Sequence, residues 1–260
     1  MRTTLLVCTA ALLGGCAMDE ELTLSETRDE VVSTNRLAVN RLAVNRLAVN
    51  RLAVNRLAVN SLEAQDLMST EEGRDVMAYI VGCALRTGET VTLQDTAGTQ
   101  YTMAGWIGLA PAWATRAPTV SERRWVTACI LARTNVNGVP VHISMRHDSN
   151  LALLTTAAER TQYSQVEGAF YGDLFASTSV WYACSNRGWT TLSPGTFRAC
   201  ALSPNGITTD CGFTYTGACT NTTTCADKTA PFGGCKAGGL TYNEVITINL
   251  TPTQQAGGTQ

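Results

Sequence analysis

The chain has 260 residues, 45% of them hydrophobic and 15% charged, with a formal net charge of -2. That apolar content excludes a wholly disordered chain. The charge balance excludes the overall basic field by which a nucleic-acid-binding protein announces itself, so no nucleic-acid partner is expected. Seventeen of the nineteen basic residues are arginine, the two lysines being Lys228 and Lys236; a bias this broad is background composition rather than mechanism.

Residues 1–16, MRTTLLVCTAALLGGC, combine a positive Arg2 with a short apolar core over residues 5–13. The core is too short for a stable membrane span, which takes about 20 residues, and reads as an export signal. Its end, Leu13-Gly14-Gly15-Cys16, resembles the lipobox of bacterial lipoproteins. In that family the cysteine becomes the lipid-bearing N-terminus, so the resemblance implies lipidation at Cys16. Ala17, rather than Asp, after the cysteine implies the outer membrane. The alternative is an ordinary secretory signal with a chance cysteine.

Residues 17–66 are expected to form a tether. An acidic stretch is followed by five unchanged copies of RLAVN, from Arg36 to Asn60. On a helix a five-residue period sends the leucines round every face; on a strand an odd period throws successive leucines to opposite faces. A square solenoid would align them, but this run makes little more than one coil, where about three stacked repeats are needed. The expectation is therefore a disordered or frayed-helical spacer, reaching on the order of 80–90 Å if fully extended.

The folded domain is expected over residues 67–250, with order beginning near Ser61. Ser69 and Glu72 have capping-box spacing, and Val76, Met77, Ile80, Val81, Cys83 and Ala84 follow at helical spacing. Thr90–Gln94 and residues 100–103 are predicted as a hairpin around the Asp95-Thr96-Ala97-Gly98 turn. Residues 105–118, with Trp106 and Trp113, read as a packed irregular connection. Thr119 is predicted to cap a second helix that aligns Trp125, Ala128, Cys129 and Ala132.

Cys83 and Cys129 lie on apolar helix faces, and a disulfide stapling the two helices is expected. In all, eight cysteines follow the leader: Cys83, Cys129, Cys184, Cys200, Cys211, Cys219, Cys225 and Cys235. An even number in an exported chain reads as a disulfide framework whose pairing the sequence does not specify. Val139 to Met145 alternates as a strand, with His142, Ser144 and Arg146 on the open face. Residues 184–240 are cysteine-rich, 241–250 suit a last strand, and 251–260 suit a disordered tail. The fold class expected is α+β: a disulfide-rich small domain with two helices packed on short antiparallel strands.

The runs YIVGCAL, IGLAPAWATRAPTVSERRWVTACILARTN and EGAFYGDLF are similar to a group of uncharacterised predicted lipoproteins of myxobacteria, which also carry RLAVN-type tracts. The resemblance covers roughly residues 67–240. It implies kinship and brings no catalytic residue.

Motifs for chemistry are sparse. The sequence holds no G-x-S-x-G, H-E-x-x-H, C-x-x-C or Walker loop. The late cysteines, 16, 11, 8, 6 and 10 residues apart, lack the short paired spacing of zinc sites; no metal and no cofactor are expected. The catalytic candidates are His142, Ser144, His147 and Asp148 as a local hydrolase constellation, and Glu167 with Asp173 as an acid/base pair for glycan cleavage. Polar residues on the open face of an edge strand explain the first set, and solvated or capping carboxylates explain the second. A binding reading rests on Trp181, Tyr182, Trp189, Phe213 and Tyr215 as aromatics on bridged loops. The function expected is non-enzymatic: a lipid-anchored surface or envelope interaction protein, whose partner is an envelope glycan or a protein. The rival is an envelope-polymer hydrolase.

Overall fold

The computed structural model describes residues 62–135, 142–186 and 212–255, together with the backbone of β1 (Leu37–Val39) and β2 (Leu42–Ala43). Cys16, Cys200, Cys211 and Trp189 lie outside the described residues.

The chain enters the core through α1 (Leu62–Met68), which buries Ala64, Leu67 and Met68. Helix α2 (Glu71–Ala84) is capped by Thr70, whose side chain accepts from the Gly73 amide, not by Ser69. Ser69 instead bonds back to the Gln65 carbonyl and across to Thr96. The capping pattern is displaced by one residue because α1 uses Ser69 to close its own last turn.

β3 (Thr90–Gln94) and β4 (Gln100–Ala104) form the expected antiparallel hairpin. Its turn is held by the Asp95 carboxylate, which accepts from the amides of Ala97 and Thr99 at 2.9 and 2.8 Å, while Gly98 takes a φ of 84° that a larger side chain resists. α3 (Val120–Ala132) opens on a reciprocal capping box between Thr119 and Glu122. Cys83 and Cys129 are bonded, with Cα atoms 6.0 Å apart, so α2 and α3 are stapled as expected.

The main sheet has six strands in the order β1–β6–β12–β7–β8–β9. Its members after β1 are β6 (His142–Arg146), β7 (Gln165–Asp173), β8 (Val180–Ser185), β9 (Thr214–Ala218) and β12 (Ile246–Leu250). β5 (Thr134–Asn135) pairs with β2 outside it, and β10 (Cys235–Ala237) pairs with β11 (Leu240–Tyr242). The α+β class holds, but the sheet is mixed rather than antiparallel, because β9 runs parallel to β8. Helices beyond the expected two are present: α1, the short α4 (Ala157–Gln162), and α5 (Pro252–Gln255). The last of these falls in the expected tail, where Pro252 occupies the first helical position that proline tolerates.

Alternation sorts the sheet into two buried faces. Ile143, Met145, Phe170, Ala183, Ile246, Ile248 and Leu250 pack with α2 and α3 in one core. Ala169, Tyr171, Tyr182 and Cys184 face the other way, into a second core with Cys219, Cys225, Phe232, Cys235, Tyr242 and Val245. The second core holds the bridges Cys184–Cys219 and Cys225–Cys235. Glycine permits the close approach of β7 to β8: a side-chain carbon at Gly168 would run into the Cys184 carbonyl.

Within the stretch expected to be a tether, the five residues Leu37–Val39 and Leu42–Ala43 are strands. β1 pairs antiparallel with β6, and β2 pairs parallel with β5. β1 thereby covers the hydrogen-bonding edge of β6 on the side away from β12.

Candidate functional site

The sequence candidates are dispersed. His142 is exposed at the start of β6, whereas Ser144 is buried, which overturns its placement on an open face. The Ser144 hydroxyl donates to Glu159 Oε1 at 2.7 Å and accepts from Arg146 Nε at 2.8 Å. Arg146 also donates to the Tyr163 carbonyl at 2.7 Å. Ser144 is thus part of a buried network that ties α4 to the sheet, and no histidine is bonded to it among the described residues.

Glu167 and Asp173 are both buried on β7. Six residues of extended chain separate them by about 20 Å, against the roughly 5–9.5 Å that paired glycosidase carboxylates require. They do not form an acid/base pair. Asp173 is instead bonded to Arg123 of α3 at 3.1 Å and to the Phe175 amide at 3.0 Å.

The aromatic binding set is also largely structural. Phe213 and Tyr182 are buried in the two cores, Trp181 packs against the first core, and the Tyr215 hydroxyl meets Ser185 Oγ at 3.0 Å. Trp181 and Tyr182 are successive residues of β8, so alternation sends one ring to each of the two cores.

Of the catalytic candidates, His147 and Asp148 line an open concavity of ≈ 500 Å³ with Ser149, Asp227, Lys228 and Phe232. A smaller recess, ≈ 80 Å³, shares His147, Asp148 and Pro231 with it and adds Arg146 and Arg160. The imidazole of His147 stands edge-on to Trp125 of α3, with ring centres 4.8 Å apart. Burial lowers its pKa, and the carboxylates of Asp148, Asp227 and Glu244 and a hydrogen bond to the Asn243 backbone oppose that shift. The Ser149 amide donates to Nδ1 at 3.2 Å, and the Ser149 hydroxyl lies 3.3 Å from the same atom. An accepting Nδ1 places the neutral ring's proton on Nε2. The lone pair a general base would need is therefore occupied by backbone.

Trp125, Asp227, Lys228 and Glu244 were missed as site residues. Each lies at least 22 residues from His147 in sequence, and no local pattern announces a contact made through the fold.

Cys184, Cys219 and Cys225 bring their sulfurs within 4.8 Å of one another. They are oxidised, Cys184 to Cys219 and Cys225 to Cys235, and a metal ligand must be a thiolate; the cluster is two stacked bridges.

No family model matches the chain, and neither the curated proteins nor the solved structures contain a match to it.

Proposed function

We propose that the chain is a membrane-anchored lipoprotein that serves as a cell-surface or envelope interaction protein, binding its partner in the concavity around His147. The observation that carries this reading is the contrast in how polar groups are used. Ser144, Glu159 and Arg146 are consumed by one buried network, and Asp173 by its bonds to α3. Asp148, Asp227, Lys228 and His147 instead border an open polar cavity. Mixed charge and one imidazole suit recognition of a polar polymer or peptide. The Cys225–Cys235 bridge closes the segment that holds lining residues 226–232 and keeps that wall preorganised, which lowers the entropic cost of binding. The leader and the resemblance to myxobacterial lipoproteins support lipidation at Cys16 and the outer membrane as the site of action.

Incubating the oxidised protein with isolated envelope polymers tests the reading, with retained protein and released products followed together by mass spectrometry. Retention that Asp227→Ala and Lys228→Ala weaken about tenfold, with no fragments released, is the expected result. Release of fragments that His147→Ala abolishes would replace it with the hydrolase reading. For the anchor, the mature N-terminal peptide is expected to carry a diacylglyceryl group on Cys16; an unmodified Cys16 peptide would sink that part.

A further inference from the structure

The two strands supplied by the repeat occupy their slots in the same phase. β1 starts at Leu37, paired with Ser144, and β2 starts at Leu42, paired with Thr134; both are the leucine of their own RLAVN copy. Two consecutive copies thus fill two consecutive slots, one on the edge of β6 and one on β5. Three further copies, Arg46–Asn60, have the same sequence.

In an ordinary sheet a slip of register is penalised because side chains change faces or neighbours. A slip of one whole repeat carries no such penalty here. Moving the chain by five residues sets Leu42 where Leu37 was and Leu47 where Leu42 was, with the same residues at every paired position. Pairing with β6 and β5 therefore gives no one of these registers an advantage over the others.

We infer that β6 and β5 form a docking track for the RLAVN repeat of this same chain, in which successive copies exchange by whole-repeat steps. Each step transfers five residues, about 16 Å of extended chain, from one side of the docked segment to the other. The repeat is then an adjustable strap whose free N-terminal length is set by which copies are docked. Identity between copies is what the device requires, since a variant copy would bias it to one register.

Hydrogen exchange of the β6 amides in the full oxidised chain, read by mass spectrometry, tests this. Two variants are compared with the parent. One carries Leu37→Pro with Ala38→Pro, which disables the first copy; alternate amides point to opposite edges, so one of the two prolines removes an amide that faces β6. The other carries the same pair of changes in all five copies. Exchange of β7, remote from the track, reports whether each variant folds. The expected result is β6 exchange within about twofold of the parent in the single-copy variant and faster by at least about tenfold in the five-copy variant. If disabling the first copy alone accelerates β6 as much as disabling all five, the register is fixed and the exchange model is wrong. If the five-copy variant leaves β6 as slow as the parent, the repeat does not dock there. Should the five-copy variant fail to fold, the single-copy variant still decides between a fixed and an exchanging register.

Discussion

Ser144 shows how one buried hydroxyl is bound by what it must satisfy. It donates to a carboxylate that is itself buried, Glu159 at 3% exposure. Ser144→Ala is expected to lower stability by about 1–3 kcal/mol, because the carboxylate keeps its burial and loses a donor; the midpoint of urea unfolding measures it. A catalytic serine would show lost activity with little change in that midpoint. His147 supplies a test in pH. Burial holds its pKa below the ordinary 6.5, so below that value the unfolded chain binds more protons than the folded one. The stability contributed by its neutral form is full above 6.5 and is lost as pH falls through the lower folded value. Unfolding midpoints are expected to drop as pH falls below the ordinary 6.5, with a shallower drop in His147→Gln. Among the described residues of the strand expected at 139–145, alternation placed Ile143 and Met145 correctly, but not the burial of Ser144; Val139 and Val141 lie outside the described residues. Periodicity reports which face a residue takes, not what covers that face.

Among the elements, α3 is the one most completely specified by its neighbours in sequence. Thr119 and Glu122 satisfy each other's orphan amides, and Arg116 clamps Glu122 through two bonds of 2.7 Å. That guanidinium, more than the Thr119 amide and hydroxyl, holds the Glu122 carboxyl down at about 2 against the opposing effect of burial. Thr119→Ala is expected to cost about 1 kcal/mol in thermal or urea unfolding. The contribution of ionised Glu122 is present above the ordinary carboxylate value and is lost as pH falls through about 2; Glu122→Gln is expected to flatten the acid limb of the stability profile. Strand β7 shows the opposite case. Gly168 is required by the Cys184 carbonyl of the neighbouring strand, so Gly168→Ala forces β7 and β8 apart. A loss of about 1–3 kcal/mol in unfolding free energy is expected. Nothing in residues 160–176 indicates that requirement, because the crowding atom comes from a different strand.

For the whole molecule, the two cores make the bridges unequal in purpose. Cys83–Cys129 closes a separation of 46 residues between two helices of the larger core. Replacing both by serine is expected to remove about 4 kcal/mol in non-reducing denaturant unfolding, on the chain-entropy account. Cys184–Cys219 and Cys225–Cys235 instead build the second core, where Tyr171, Tyr182 and Tyr242 cluster with ring centres 5.5–5.8 Å apart. The sequence by itself determined the two helices and the Thr119 cap, the β3–β4 hairpin, a last strand within 241–250, and the staple, because caps, turns and apolar periods act between residues close in the chain. Only the tertiary structure decided that the sheet is mixed, that Glu167 and Asp173 lie far apart, that aromatic rings of the cysteine-rich region turn inward, and that His147 meets Trp125 beside Asp227. Those outcomes depend on which distant strands and loops share a face, and a contact between remote segments leaves no mark on the residues beside either one.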